Sequence, residues 1–582
     1  MIEVTRKEET SIKLELFDEE KALQKCQDGF LRDEWDKLTQ NQLKVSVLQG
    51  RAFVVTWYKN YFPSYSPILF LAWDKDGKLI GLLALAIHRE KKYLVCAGDE
   101  LAEYHGWLST PKYEVNFISS CLKVLKKKYS FYKWSLNWLA PGTNISWLDK
   151  YNLQQQGIYF CLEKSSGQIW NLKDSTKLKK INKRANVKRS YRQYKSRGNF
   201  RMEKIIGEER LDNLLKEFAA QCDFKKEAIF NRRLFDSDPH IVPFLKDLQK
   251  FPDINHFSVL WLNDRPIAFN HALVNNDELC LAGYTSYDPA ESRNSPGKLH
   301  LLELAKACSE DGFASIDLTP GKDAYKSRFS NSSRDVYRLS FYFSFRSKIL
   351  RNIKEVSKKL LQKLFDALNI DLYEIKSWQT DILEIISRFK QGKPIFLTKK
   401  ISTFINSRNN YEVNKFLEFE QNLELKTSSN LFSFRKNDFH VLESYHEQKD
   451  FISRRALFQQ SLKKFSRGDD FYSLSIEENL LAFAWVRNGK YPLQLPGTNY
   501  THKFPENCRI IYGLTIVGKN VPQSELDSFV RKITQDILGE NPQEIYLCSY
   551  DSYKFQGGNK LQRMFGLNHR RYFSFFNQSR VN

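Results

Sequence analysis

Ser295-Pro296-Gly297-Lys298 opens an amphipathic stretch, GKLHLLELAKACSEDG, and this combination suits an anion. Proline is tolerated in a first helical turn, the free amide hydrogens and positive end of a helix attract phosphate, and glycine admits a ligand close to the backbone. Lys298 adds a full charge; the alternative is a capped helix without a ligand. Tyr325 carries a phenol that could donate a proton to a leaving group or pack as a core aromatic with its hydroxyl satisfied. Asp317, closing the apolar run ASIDL, could orient an amine or a water, or cap the next element. His271 lies in FNHALV, where alternation puts it on the face of Phe269 and Leu273, either as a base or as a satisfied core histidine. Asp99, Glu103, Tyr104 and His105 form a polar cluster, GDELAEYHGW, after an apolar run; it either lines a substrate cleft or is a surface turn.

The largest concentration of charge is the basic run 177–195, which includes Lys183, Arg184, Lys188 and Arg189. Leu178, Ile181, Val187, Tyr191 and Tyr194 recur within it at helical spacing, so a helix with a dense cationic face is expected. That face is either solvated or meets phosphates: the nucleotide end of coenzyme A, a phosphorylated acceptor or a tRNA backbone. Residues 171–200 carry eleven Lys or Arg against one acid, and 341–400 thirteen against six, so the two stretches supply 17 of the 22 excess positive charges. The second contains FYFSFRSKILRNIKEVSKKLLQKLF, residues 341–365, a basic amphipathic pattern that either packs on a sheet or lies on an anionic membrane.

Nine scattered cysteines without a CxxC pair read as reduced core thiols of a cytoplasmic protein, and ten histidines without HxxxH or HExxH spacing give no support for a metal site. No apolar window is long enough to span a bilayer, and the first twenty residues are acidic and mixed rather than a secretion signal.

The elements that must position these residues follow one grammar three times. A hairpin, a third strand, a helix opened by proline and a further strand read as PILFLAW, LIGLLALAIH, KYLVCAG, the Pro111 helix and WSLNWLA. The second copy is FSVLWL, PIAFNHALV, LCLAGYTSY, the Pro296 helix and ASIDLTPG; the third is FYSLSI, LLAFAWVRNG, RIIYGLTIVG, the Pro522 helix and EIYLCSYDS. Such units describe mixed α/β sheets flanked by helices.

Tyr287-Asp288, Ser295-Pro296-Gly297 at a helix start, and Asp317-Leu-Thr-Pro-Gly-Lys-Asp323-Ala-Tyr325-Lys326-Ser-Arg328-Phe329 together resemble the CelD/BcsL-type acetyltransferase family, across roughly residues 20–365. The resemblance implies tandem GNAT halves with FemAB-like architecture. Two positions depart from the family pattern: Pro320 stands where arginine is usual, and Asp323 where glutamate is usual. It further implies an N-acyltransferase that moves an acyl group from acyl-coenzyme A to an amine of an envelope sugar, lipid or peptide precursor, without a metal. Tyr325, Asp317 and His271 are then expected in catalysis. Ser295, Gly297, Lys298, Lys183, Arg184, Lys188 and Arg189 are expected to hold the donor, and Asp99, Tyr104, His105 and Lys326 the acceptor. An aminoacyl-tRNA-dependent transferase and a catalytically inactive binding protein are the alternatives. The expected divisions are an amino-terminal half at 1–175, a second half at 176–365, a helical linker at 366–410, and a GNAT-like domain at 411–582. The last lacks the usual glycine-rich pyrophosphate signature between Val517 and Leu526, and proteolysis is expected within 385–412.

Overall fold

The computed structural model describes residues 12–40, 47–91, 93–130, 133–150, 153–321, 323–346, 348–349, 411–416, 431–446, 453–494, 501–518, 521–540, 542, 544–550 and 571–573. The chain forms two compact units, one of residues 1–219, 235–286 and 296–369, the other of 220–234, 287–295 and 370–582.

In the first unit the hairpins appear where alternating apolar residues and tight turns require them. The strands are β1 (Lys13–Asp18), β2 (Tyr65–Trp73), β3 (Leu79–His88), β4 (Leu94–Cys96), β5 (Leu108–Ser109), β6 (Trp134–Leu136) and β7 (Tyr159–Asn171). There follow β8 (Phe200–Lys204), β9 (Asn255–Leu262), β10 (Arg265–Asn275), β11 (Glu278–Cys280), β12 (Thr285–Tyr287), β13 (Ser315–Pro320) and β14 (Ser332–Tyr342). Together they make one 14-stranded sheet in the order β1-β2-β3-β4-β6-β14-β7-β13-β11-β10-β9-β8, with β5 paired to β3 and β12 to β10 beside this path. Read from its two ends, this order is the same pattern twice: three antiparallel pairings, then one parallel pairing, β4 with β6 and β11 with β13. The last strand of each half crosses over, β7 pairing with β13 and β14 with β6, so each half completes the sheet of the other. β7 and β14 pair along their whole overlap, Ser332 with Ile169 through Tyr342 with Tyr159.

The parallel pairs part at their carboxyl ends. In the first half β4 and β6 share only the Leu94–Trp134 pair, and the gap beyond is filled by His105, which bridges to Leu139. In the second half Glu278, Leu279 and Cys280 pair with Ser315, Ile316 and Asp317 before the strands separate.

The second unit repeats the second half strand for strand. β15 (Tyr411–Phe416), β16 (Phe432–Lys436), β17 (Asp470–Ile476), β18 (Asn479–Asn488), β21 (Cys508–Ile516), β22 (Glu544–Tyr550) and β23 (Arg571–Phe573) lie in the order β16-β17-β18-β21-β22-β15-β23, with β21 and β22 parallel. β19 (Leu493–Gln494) and β20 (Thr501–His502) form a separate pair. Its core, around Phe458, Phe465, Phe471, Trp485 and Tyr512, also takes in Phe224 and Ala228.

The membrane expectation for 341–365 meets a different structure at its start, because Phe341 and Tyr342 complete β14, with Phe341 in the core; residues 351–365 lie outside the described residues, as does most of the proteolysis segment 385–412. No helix among the described residues is long and apolar enough to cross a membrane.

Candidate active site

Asp317 is fully buried near the end of β13, at the last pairing before β11 and β13 separate. Its carboxylate accepts from the phenol of Tyr104 at 2.6 Å, from the backbone N–H of Thr319 at 2.8 Å, and from the Arg334 guanidinium. Arg334 also forks onto Glu278, at 3.0 and 2.9 Å. It reaches these partners from β14 across β7, where Gly167 stands between Arg334 and Pro320 with no side chain in the way. Burial disfavours the Arg334 charge, yet the Asp317 and Glu278 carboxylates hold it above the ordinary guanidinium range. Burial, then the charge of Asp317, pushes the Tyr104 phenol and the Cys280 thiol upward. Tyr104 comes from the first half and Asp317 from the second, so this buried network locks the two halves at the site.

Beyond Asp317 the backbone turns sharply. Thr319 has φ 64° and Gly321 φ 141°, a conformation that glycine adopts without strain. Lys326 closes the turn: its buried ammonium donates to Thr319 Oγ1 at 3.0 Å and to the Pro320 carbonyl at 2.9 Å, and it stands 3.6 Å from Asp323. A Cβ at Gly321 would come within 3.0 Å of the Lys326 nitrogen. Lys326 is therefore committed to the backbone it folds around.

Glu103, half-buried beside Tyr104, is different. Burial raises its pKa; Asp317 and Asp323 add to the shift, and Lys326 and Arg338 oppose it. Among the described residues no hydrogen bond or ion pair engages it. A carboxylate with raised pKa and unused lone pairs is the type of group that takes a proton from an ammonium.

The Lys326 helix, Ala324–Phe329, also carries Arg328, whose charge acts together with that of Arg184 on Lys298. Lys298, in the first turn of the helix Pro296–Glu310, has its pKa lowered by burial and then by the charges of Arg184 and Arg328. The basic run forms two helices, Thr176–Asn182 and Ala185–Lys195, which bury Ile181, Val187 and Tyr194 and leave Lys183, Arg184, Lys188 and Arg189 exposed. Tyr191 ties the second of them to the Pro296 helix by donating to Glu303 at 2.6 Å. Like charges are brought together here, at the positive end of a helix, so an anion would relieve their repulsion.

The remaining expected residues take varied places. Ser295, exposed, ends a 3-10 turn with φ 54° immediately before the helix that Gly297 and Lys298 begin. Tyr325 is 42% exposed on the same short helix as Lys326 and Arg328. His271 is buried in β10, bonded through Nε2 to Asn255 at 2.8 Å, and burial lowers its pKa to about 3, so it is neutral. His105 is buried with both nitrogens on backbone: Nε2 donates to the Asp99 carbonyl at 3.1 Å, and Nδ1 accepts from the Asn137 N–H at 3.1 Å. Asp99 accepts from the phenols of Tyr65 at 2.7 Å and Tyr93 at 2.8 Å, in an aromatic cluster with Trp57, Tyr61 and His88. Thus Tyr104 bonds Asp317 directly, Lys326 joins them through Thr319, and the charge of Arg184 acts on Lys298; His271 and the Asp99 carboxylate have other partners. Sequence reasoning gave no role to Arg334, Glu278 or Arg328. The first two lie in strands whose partners are distant in the chain, whereas Arg328 sits within the quoted motif and carried a signal.

Residues 182–327, which contain Arg184, Glu278, Lys298, Asp317 and Lys326 but not Glu103, Tyr104 or Arg334, match the family model of the acetyltransferase (GNAT) domain. The match defines a GNAT-type acetyltransferase domain within the chain, and the strand pattern of that domain is repeated in the other half of the sheet. Similar solved structures include FemX, 11% identical, covering 55% of this chain and 98% of its own with a TM-score of 0.37. A tandem GNAT protein from the clavulanic acid biosynthesis pathway is 10% identical, covering 56% of this chain and 98% of its own, TM-score 0.37. The carboxyl-terminal domain of a putative lysylphosphatidylglycerol synthetase from Agrobacterium fabrum is 10% identical, covering 56% and 95%, TM-score 0.37. No curated protein matches the sequence.

Proposed function

We propose that the second half transfers an acyl group from acyl-coenzyme A to an amine. The observation that carries this reading is Lys298 in the first turn of the Pro296 helix, partly buried and under the charges of Arg184 and Arg328, inside the matched segment. In this reading the donor phosphates lie on the cations, and Glu103 takes a proton from the acceptor ammonium. The amine then attacks the thioester carbon, and the Tyr325 phenol protonates the departing thiolate. Asp317, Arg334 and Tyr104 hold the frame. The acceptor class, an amine of an envelope sugar, lipid or peptide precursor, rests on the family resemblance, and a cytoplasmic setting rests on the scattered cysteines.

A second reading, an aminoacyl-tRNA donor, is favoured by the exposed cations of the two basic helices. Thermal shifts with acetyl-coenzyme A and with tRNA separate the two, since a ligand at 100 times its Kd stabilises by about 2.7 kcal/mol. Acetyl-coenzyme A should raise Tm, and reversal of Lys183, Arg184, Lys188 and Arg189 to Glu should abolish the rise while leaving the Tm of the free protein nearly unchanged. A shift with tRNA alone would favour the second reading, and no shift with either would remove both.

A further inference from the structure

In the second unit, β21 and β22 run parallel from the Cys508–Glu544 pair to the Tyr512–Cys548 pair. Beyond it β21 stays with β18, out to Ile516 opposite Ala482, and the parallel pairing ends. Gly513 follows at once with φ 61°. The Tyr512–Cys548 pair occupies the place that Cys280–Asp317 holds in the second half, so a thiol stands where that half has its acid. Burial pushes the Cys548 thiol up to about 12, which leaves it unreactive.

A reactive group arrives instead from the helix Arg454–Arg467. The Lys464 amine lies 4.8 Å from the ring centre of Trp485 and 5.2 Å from that of Tyr512, and a Cβ at Gly513 would be 3.6 Å from it. It therefore sits over the point where the parallel strands separate. The nearby carboxylate is already committed: Asp469 accepts from Arg487 Nε at 2.8 Å and from the Tyr512 phenol at 2.5 Å. Among the described residues the Lys464 amine has no hydrogen bond or ion pair. The indole N–H of Trp485, in the ring beneath the amine, is buried and without a partner there.

We propose that Lys464 is an acyl acceptor within the chain, its amine attacking the carbonyl carbon of an acyl-coenzyme A thioester at the parting of β21 and β22. The nitrogen lone pair forms the N–C bond, the C–S bond breaks, its electrons leave on the thiolate, and the nitrogen's proton passes to water. Burial, then Arg487 and Arg467, lower the Lys464 pKa to about 8 against the opposing charge of Asp469, so a large share of the amine is neutral near that pH.

The test uses the full chain incubated with acetyl-coenzyme A at a series of pH values, with initial acetylation rates at Lys464 and at its exposed neighbour Lys463 read by peptide mass spectrometry. An ordinary lysine near 10.4 has roughly 100-fold less free amine at pH 8 than one near 8, and the lower basicity returns part of that advantage. Lys464 should be modified at least about tenfold faster than Lys463 at pH 8, with a rate that levels off above that pH. The same preference should persist in Glu103→Gln protein, which separates this chemistry from that proposed for the second half. Equal rates at the two lysines, an unmodified Lys464, or loss of its labelling in Glu103→Gln would overturn the proposal.

Discussion

Two carboxylates about the same turn differ in what their lone pairs are doing. Asp317 is spent on Tyr104, Thr319 and Arg334, whereas Glu103 has burial without a partner among the described residues. Replacing Glu103 by Gln keeps size and polarity while removing the base, and should lower kcat by roughly 100- to 10,000-fold with little change in donor KM. Added base at higher pH should recover part of the rate. Steady-state kinetics across pH checks this, and an unaltered acidic limb would return the role to another group. Glu103 was visible in the sequence as one of four polar residues in a loop. Its distinction from Asp99 and His105 was not, because it depends on what each side chain meets after folding.

At the level of elements, the second half carries an unusual load of histidine. His256 and His271 come from the hairpin β9-β10, and His300 from the helix above it, bonded to Ser258 at 2.9 Å. Burial lowers them to about 4, 3 and 3 respectively, with His256 further lowering the other two. An unfolded histidine titrates near 6.5, so below that pH the unfolded chain binds protons that the folded chain refuses. The stability contributed by these neutral residues is complete above about pH 6.5 and is lost as pH falls toward their folded values. Each steepens the slope of unfolding free energy by up to about 1.4 kcal/mol per pH unit near pH 5. His300→Gln should flatten the profile between pH 7 and 5, measured by urea denaturation; an unchanged slope would mean that His300 takes up its proton in the folded chain as it does in the unfolded one. The alternation in FNHALV announced a buried face for His271, whereas the grouping of three histidines needed the hairpin register and the helix on top of it.

For the whole molecule, the triple repeat of strand order accounts for much of the length of the chain. Its second unit draws on a segment far back in the sequence: Phe224 stacks on Phe458 at 4.2 Å and meets Phe439 edge-on at 5.5 Å. Removing a fully buried phenylalanine ring costs about 3–5 kcal/mol. Phe224→Ala should therefore lower the unfolding temperature of the second unit by several degrees, read by calorimetry as the shift of one transition against the other. A transition unmoved by the substitution would leave Phe224 outside that core in solution. The division at 1–175, 176–365, 366–410 and 411–582 stands as a proposal, open to the proteolysis of 385–412.

Periodicity by itself determined the hairpins, the three helices opened near proline and the mixed α/β class, since apolar alternation and helix-start chemistry act within a few residues of chain. Local chemistry also made the Pro296 helix and the basic run candidates for holding an anion, a reading that stands as a proposal. Only the tertiary structure decided that β7 and β14 exchange between halves, because two sheets with the same strand pattern can close on themselves or on one another without changing a single local preference. That exchange carries Arg334 across Gly167 to Asp317, and it is the physical reason why the network around the site could not be read from spacing: its members, Tyr104, Glu278, Asp317 and Arg334, become neighbours only when both halves have folded.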